Sequence, residues 1–287
     1  MKLYQGYDRA ELCHQYNARA TVTGEYLAAI LAQYAAHSAD MRARLRCFCD
    51  IAYGSHADEV LDIFPAENGN GPVLVFIHGG YWRALSKDDS SFMAETFTRA
   101  GASVVAVNYS LAPSASLEKI IDQNRRAAAW IHRHIARYGA DPERIYLCGS
   151  SAGGHLAGML LADGWQEVYG VPKNIVAGAC CISGLYDLTP ISHTHINDWI
   201  KLDSVSAHRC SPQFHLPASS IPLLISYGEF ETDEFKRQSD CYLHAWRDRG
   251  FAAGYVAMPG TNHFDVVLKL MDRDSPLTRS LLEMMGL

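Results

Sequence analysis

The chain has 287 residues, of which 48% are hydrophobic and 20% charged, and its formal net charge is −6 with a pI near 6.1. This composition excludes a disordered chain, and the acidic balance argues against nucleic acid or an anionic membrane as a partner. The first ten residues lack the apolar core of a secretory signal, and no apolar run approaches the roughly 18 residues of a membrane span. We therefore expect a cytoplasmic protein that does not enter a membrane.

Residues 8–45 carry apolar side chains at helical spacing, which predicts helix for most of this stretch. Two strands are expected next, at 46–53 and 59–64, and the absence of a helix between them predicts an antiparallel edge. After a turn at 67–72, short apolar runs alternate with helical segments. The expected strands are 73–77, 103–107, 144–148, 175–182, 221–226 and 253–258, and the expected helices are 87–100, 116–138, 152–163, 233–249, 264–271 and 276–285. This alternation predicts a mainly parallel sheet with helices on both faces.

We treat residues 1–287 as one domain, because a layered α/β core accommodates this length. Residues 1–45 form its N-terminal helical segment. Residues 185–215 are irregular and rich in His and Ser, and they lie between two core strands. A small lid or a pocket wall is expected there.

Eight cysteines are scattered at irregular spacing, and Cys148, Cys180 and Cys181 lie inside apolar runs. We expect reduced thiols rather than disulfides. Cys47 and Cys49 are separated by one residue, which is not the Cys-x-x-Cys spacing of a redox or zinc site. On a strand these two thiols share one face, and we assign them to packing.

The strongest chemical motif is the sequence GSSAG at residues 149–153, which fits Gly-x-Ser-x-Gly. An apolar strand precedes it and a helix follows it, which is the context of the nucleophile elbow. The glycines allow the tight turn, and Ser151 is exposed above the sheet as the nucleophile. The alternative is a structural Gly/Ser turn in another α/β fold. Together with the strand pattern, the motif predicts an α/β-hydrolase fold.

A second motif, HGGYW at residues 78–82, directly follows the strand at 73–77. A Gly-Gly turn in this place leaves backbone N–H groups pointing at the active site. We expect the N–H groups of Gly79 or Gly80 to form the oxyanion hole together with that of Ala152.

A serine requires a base, and the base requires an acid that orients it; in α/β-hydrolases the chain order is Ser, acid, His. His263 directly follows the last strand and is the predicted base. The acid is sought after the strand at 221–226, where Glu229, Glu231, Asp233 and Glu234 compete. We rank Glu231 first and Glu229 second, and an Asp at the start of the next helix is as readily an N-cap.

The remaining histidines are interpreted without a metal ion. His78 is expected to hold its loop by hydrogen bonds. The pairs His132/His134 and His193/His195 resemble metal ligands in isolation, but no third ligand is evident in the sequence. We expect neither a metal nor an organic cofactor.

The residues that carry these motifs also carry a resemblance to a known family. Over much of residues 73–270 the chain resembles the arylformamidases, or kynurenine formamidases, of the serine-hydrolase type. The matching pieces are residues 78–82, 86–90, 145–149, 151–153, 183–184, 187–188, 190–191, 211–213, 234–235, 237–239 and 263–264. The family commonly has Asp where this chain has Glu231, and His where it has Ser150.

This resemblance implies hydrolysis of N-formyl-L-kynurenine to kynurenine and formate, with Tyr81 and Trp82 bracketing the aromatic ring of this small-molecule substrate. A carboxylesterase acting on small or aryl esters, and a hydrolase of another amide or N-formyl compound, remain open. A non-catalytic binding protein on this fold is also an alternative, although all three triad positions are occupied. The sequence leaves open whether the chain forms a homodimer.

Overall fold

A computed structural model describes residues 1–287. An eight-stranded sheet, in the order β1-β2-β4-β3-β5-β6-β7-β8, runs through the centre of the molecule. Its strands are β1 (Phe48–Ala52), β2 (Val60–Phe64), β3 (Gly71–Ile77), β4 (Ser103–Val107), β5 (Ala140–Ser150), β6 (Val176–Ile182), β7 (Leu223–Gly228) and β8 (Ala253–Met258). The pairs from β4 through β3 to β8 are all parallel, whereas β2 is antiparallel to both β1 and β4. The predicted parallel sheet with an antiparallel edge is therefore confirmed.

Ten α-helices connect and cover the strands. They are α1 (Arg9–Gln15), α2 (Gly24–Arg44), α3 (Ala94–Ala100), α4 (Leu117–His134), α5 (Ala152–Leu161), α6 (Trp165–Val168), α7 (Asn197–Ile200), α8 (Ser204–Arg209), α9 (Asp233–Asp248) and α10 (Pro276–Met285). Short 3₁₀ helices are Ala18–Thr21, Lys87–Asp89, Ile135–Tyr138, Pro190–His193, Pro212–Phe214 and Val267–Met271. No helix combines the length and the apolar character that crossing a membrane requires.

The two faces of the sheet bury separate hydrophobic clusters, because side chains alternate along a strand. In β3, Val73 and Val75 enter a cluster of 54 buried residues, while Leu74 and Phe76 enter one of 25. Helices α4, α5 and α9 contribute to the larger cluster, and α2, α3 and α10 to the smaller one. Every central strand is thus buried on both faces, as its continuous apolar sequence predicts.

Two expected helices differ from the structure. The segment predicted as one helix over 87–100 is a 3₁₀ turn followed by α3, because the backbone N–H of Ser91 donates to Ser38 Oγ (2.9 Å) instead of a carbonyl one turn earlier. The segment predicted at 264–271 contains only the 3₁₀ helix Val267–Met271.

The parallel strands place their carboxyl ends at one edge of the sheet, and ligands bind at this edge in α/β folds. The loops after β3, β5, β7 and β8 all begin there. These four loops contain the residues that the sequence motifs single out.

Candidate active site

Ser151 lies at the sharp turn between β5 and α5. Its backbone adopts φ +58° and ψ −117°, a conformation that non-glycine residues rarely adopt and that marks functional turns. Its N–H donates to the carbonyl of Ile182 in the neighbouring strand (2.8 Å), which holds the turn against β6. The side chain is 6% exposed and lines a cleft at the carboxyl edge of the sheet. This geometry is that of a nucleophile elbow.

Two glycines make the turn possible by close backbone approach. A Cβ atom on Gly149 would lie 2.3 Å from the carbonyl oxygen of Gly153. A Cβ atom on Gly153 would lie 1.9 Å from the carbonyl oxygen of Ile77 in β3. Both contacts are with backbone atoms of the sheet or of the turn itself, so no side-chain movement could relieve them.

His263 follows β8 and is paired with Glu231, which follows β7. The Nδ1 atom of His263 lies 2.8 Å from Oε2 of Glu231, and these side chains are only 6% and 0% exposed. A hydrogen bond at this position assigns the Nδ1 proton and leaves Nε2 with a lone pair. This contact fixes the orientation of the His263 ring.

Glu231 is held at its other oxygen as well. Its Oε1 atom accepts hydrogen bonds from Ser183 Oγ (2.5 Å) and from the backbone N–H of Gly228 (2.7 Å). Sequence analysis did not assign a role to Ser183, although its position directly after β6 was a usable signal. Three contacts, from His263, Ser183 and Gly228, therefore hold this one carboxylate in place.

The other acidic candidates lie elsewhere. Glu229 accepts from the backbone N–H of Gly260 (2.7 Å) and is exposed. Asp233 is the first residue of α9, and Thr232 occupies the N-cap position that was considered for it. Glu234 forms an ion pair with Arg237 (2.8 Å). The structure brings only Glu231 to His263.

Ser151 and His263 face the same cleft without a direct hydrogen bond between Oγ and Nε2. Catalytic hydrogen bonds in free enzymes are often long and shorten in the substrate complex. The arrangement therefore brings Ser151, Glu231 and His263 together at one edge of the sheet, in the chain order Ser, Glu, His.

The loop after β3 presents unpaired backbone donors to the cleft. The N–H groups of Gly79 and Gly80 donate no backbone hydrogen bond, and Ala152 is the first residue of α5, where N–H groups lack intrahelical acceptors. All three positions are at the carboxyl edge of the sheet, beside Ser151. The arrangement is that expected of an oxyanion hole.

His78 is buried and contacts this loop. Its ring stacks on Tyr109 with centroids 4.0 Å apart, and its Nδ1 lies 2.9 Å from the carbonyl oxygen of Gly79. Burial lowers the pKa of His78 to about 4, against an ordinary value of 6.5. A neutral, structural histidine agrees with the role expected for it.

Tyr81 and Trp82 point in different directions, although both have positive φ angles of 50° and 57°. Tyr81 lines the cleft, and its hydroxyl donates to the carbonyl of Tyr16. Trp82 does not line the cleft: it is 0% exposed, and its Nε1 donates to Nδ1 of His155 (3.2 Å). The expectation that Trp82 brackets the substrate is therefore corrected, because its indole packs behind the elbow.

The cleft has a volume of about 580 Å³. Its apolar lining residues include Leu27 and Leu31 of α2 together with Phe76, Phe92 and Phe264. Such a pocket accommodates an aromatic ring or an acyl chain.

Polar and aromatic residues also line the cleft. They include Arg19, Arg83, His195 and Trp199. Of these, the sequence singled out only His195, as one of a pair of histidines. His195 and Trp199 belong to the irregular segment 185–215, which thus contributes to the wall of the cleft. No periodic pattern marks these residues, since they come from separate segments of the chain, Arg19 from a 3₁₀ helix and Trp199 from α7.

A group of potential metal ligands lies outside the cleft. The Sγ atoms of Cys47 and Cys49 are 3.3 Å apart, and the carboxylate of Asp62 lies within 4.8 Å of both. The Nζ atom of Lys87, however, is 3.0 Å from Oδ1 of Asp62 and already neutralises it. We therefore assign Asp62 and Lys87 to an ion pair that joins β2 to the segment following the loop after β3.

Comparisons with known proteins place this geometry in a family. A family model described as BD-FAE matches residues 61–241. The kynurenine formamidases of Danio rerio and Salmo salar are each 34% identical to the chain, over 83% of this chain and 81% of theirs. The chain belongs to the kynurenine formamidase family. It is accordingly a hydrolase, as the sequence predicted.

Solved structures agree with the α/β-hydrolase fold of this kynurenine formamidase family member. A candidate thioesterase from Silicibacter sp. tm1040 superposes with a TM-score of 0.83 at 28% identity, covering 96% of this chain and 99% of that one. An esterase from Pyrobaculum calidifontis gives a TM-score of 0.71 at 18% identity, over 100% and 95% of the two chains. Esterase LipQ of Mycobacterium tuberculosis is 28% identical over 78% of this chain and 59% of its own. Ester hydrolases are thus also relatives of this chain.

Proposed function

We propose that this hydrolase cleaves N-formyl arylamines, with N-formyl-L-kynurenine as the substrate and kynurenine and formate as products. The observation that carries the proposal is the buried His263–Glu231 pair facing the cleft of Ser151. The choice of substrate is supported by the kynurenine formamidases at 34% identity. The eight unpaired cysteines are consistent with a reducing, cytoplasmic compartment.

In the first half-reaction, Nε2 of His263 accepts the proton of Ser151 while Oγ attacks the formyl carbon. The carbonyl oxygen becomes an oxyanion, and the N–H groups of Gly79 or Gly80 and Ala152 donate to it. The protonated His263, stabilised by Glu231, then donates its Nε2 proton to the aryl nitrogen. The C–N bond breaks, and the arylamine leaves as a neutral amine; without this proton an anilide anion would have to depart.

In the second half-reaction, a water molecule occupies the place of the amine. His263 accepts one of its protons, and the hydroxide attacks the formyl carbon of the Ser151 ester. The same N–H groups hold the second oxyanion. Collapse of this intermediate breaks the Ser151–formyl bond, the proton returns from His263 to Oγ, and formate is released. No step requires a group beyond these side chains and backbone donors.

The test compares kcat/KM for N-formyl-L-kynurenine with that for p-nitrophenyl acetate, with Ser151→Ala as the blank. We expect a value above about 10⁴ M⁻¹s⁻¹ on the formamide, in the ordinary range for a true substrate. Ser151→Ala should lower kcat by roughly 10⁴-fold or more, because only the oxyanion donors and binding remain. A folded Ser151→Ala protein with a near-normal rate would rule out this nucleophile.

A carboxylesterase is the second candidate function. The apolar part of the cleft, with Leu27, Leu31 and Phe92, leaves space for an acyl group larger than formyl, and an esterase is among the relatives. Fast cleavage of the ester together with a negligible formamide rate would retain the triad and assign the enzyme to the esterases.

A further inference from the structure

Two arginine side chains in the cleft have no acidic partner. Arg19 and Arg83 both line the cleft of Ser151, and neither forms an ion pair or a side-chain hydrogen bond, although the chain has 31 acidic residues. The cleft contains one carboxylate, that of Asp89, whose Oδ2 accepts hydrogen bonds from the N–H and the hydroxyl of Ser86. The lining of the cleft therefore carries two arginine charges against one carboxylate and is able to pair with an anion.

Arg83 is tied to the loop that carries the oxyanion donors. Its backbone N–H donates to the carbonyl of Gly80 (3.0 Å). Its guanidinium carbon lies 4.5 Å from the centroid of the Trp199 ring, and Nε1 of Trp199 donates to the carbonyl of Tyr81 (3.1 Å). Stacking occupies the flat face of a guanidinium and leaves the N–H groups at its edge available. Arg83 is thus a restrained bidentate donor at a set position relative to the reacting centre.

We propose that Arg83, with Arg19 also lining the cleft, forms a subsite for a carboxylate group of the substrate. The proposal rests on the proposed function and narrows it: the enzyme selects arylformamides whose leaving amine bears a carboxylate, as the amino-acid end of N-formyl-L-kynurenine does. Planar carboxylates match the donor fork of arginine, which gives both attraction and orientation. A neutral arylformamide uses the same Ser151 and His263 but lacks this contact.

The test measures kcat and KM of Arg83→Gln on two formamides that differ in charge. N-formyl-L-kynurenine carries the carboxylate, and 2′-formamidoacetophenone has the same aryl formamide without the amino-acid end. We expect KM for the first to rise about 10-fold or more, which corresponds to the loss of a charge-assisted hydrogen bond, and kcat/KM for the second to stay within about 2-fold. Arg83→Lys, which keeps the charge without the fork, should recover part of the loss.

A matched control separates this subsite from a general change of surface charge. Arg273 is also exposed and unpaired, but it does not line the cleft. Arg273→Gln should leave both substrates unchanged. Arg19→Gln added to Arg83→Gln should raise KM for the anionic substrate further. An equal loss on both formamides in Arg83→Gln would show that Arg83 only supports the loop, and would overturn the subsite.

A pair of esters tests the carboxylate subsite independently of whether the enzyme hydrolyses formamides. 3-Acetoxybenzoate carries a carboxylate on its leaving group, and phenyl acetate is its neutral counterpart. If the wild-type enzyme cleaves neither formamide, the proposed function fails, while a selective loss on 3-acetoxybenzoate in Arg83→Gln still supports the subsite. If the enzyme cleaves N-formyl-L-kynurenine and Arg83→Gln behaves as wild type on both pairs, the subsite fails and the proposed function stands.

Discussion

At the scale of single residues, the carboxylate of Glu231 connects the base to the rest of the fold. One oxygen meets His263, and the other accepts from Ser183 and from the backbone of Gly228. Because a glutamate has three rotatable side-chain bonds, these contacts at the second oxygen keep the first one aligned with the imidazole. An acid one methylene longer than aspartate can thus occupy the position without losing orientation.

The contact from Ser183 leads to a prediction about positioning. Ser183→Ala removes one donor to Glu231 and should lower kcat/KM about 10-fold, since the carboxylate keeps only the Gly228 donor on that oxygen. The control is Ser226→Ala, another fully buried serine, whose hydroxyl donates to the backbone of Val256 (2.9 Å). Equal kinetics in the two variants would contradict the positioning role.

The choice of acid leads to a second prediction. Glu231→Gln should lower kcat roughly 10³- to 10⁴-fold, because an amide neither holds the Nδ1 proton of His263 firmly nor stabilises the imidazolium. Glu229→Gln should remain near wild type, since the Glu229 carboxylate contacts only the backbone N–H of Gly260 on the surface. Steady-state kinetics of the two purified proteins test the assignment of the acid. A large loss of kcat in Glu229→Gln, with Glu231→Gln still active, would reverse this assignment.

Sequence reasoning at this scale located the residues that directly follow a strand in a motif. Ser151 and His263 belong to this class, because parallel strands deliver their last residues to a common edge. It failed for Trp82, since an adjacent pair of aromatic residues gives no indication of which side chain turns inward. Here Tyr81 and Trp82 both have a left-handed backbone, and the indole of Trp82 contacts His155, which is 73 positions away in sequence.

At the scale of secondary-structure elements, the strand–turn–helix unit β5–α5 positions the nucleophile. The strand ends at Ser150, the helix begins at Ala152, and only Ser151 makes the turn. Apolar strand runs and the Gly-rich turn were readable from sequence because they depend on local composition. The broken helix over 87–100 was not readable, since its interruption depends on Ser38, which is 53 positions away.

The close packing of this unit predicts a large effect of one methyl group. Gly153→Ala should destabilise folding by more than about 3 kcal/mol or prevent it, because the new Cβ meets the carbonyl of Ile77 and the sheet cannot shift. The matched variant is Gly24→Ala, at the start of α2, where a Cβ meets nothing within 4 Å and helix propensity favours alanine. Urea unfolding followed by circular dichroism compares the two, and equal midpoints would refute the packing argument.

At the scale of the whole molecule, the N-terminal segment closes one side of the cleft. The hydroxyl of Tyr34 in α2 donates to the carbonyl of Phe264, and Tyr16 accepts from Tyr81 and donates to Glu234 (2.6 Å). These bonds join residues more than 60 positions apart. The sequence predicted helices for this segment, but helical periodicity does not indicate which loops a helix covers. The segment and the sheet edge together enclose the site.

The pH dependence of the free energy of unfolding is also a property of the whole molecule, and buried histidines contribute to it. Burial lowers the pKa of His155 to about 4 from an ordinary value of 6.5. Its Nδ1 accepts a hydrogen bond from Trp82 Nε1, and its Nε2 lies 2.7 Å from the carbonyl oxygen of Cys210. A second ring proton would have to bind to Nδ1, where it would face the N–H group of Trp82. The folded state therefore binds a proton less readily than the unfolded state, and stability is present in full above pH 6.5 and is lost as the pH falls toward 4.

For His155 alone, this linkage amounts to about 2 kcal/mol of unfolding free energy lost between pH 7 and pH 5. His155→Gln keeps an acceptor for Trp82 and a donor for Cys210 but does not titrate, so the variant should lose that much less than the wild type over the same interval. Urea unfolding of both proteins at the two pH values measures the difference. An equal loss of unfolding free energy in the two proteins would contradict this role of His155. The acid sensitivity would then be assigned to His78, whose pKa is also lowered to about 4. His78→Gln, examined in the same way, separates these outcomes, because only the histidine that resists protonation in the folded state contributes to the pH dependence.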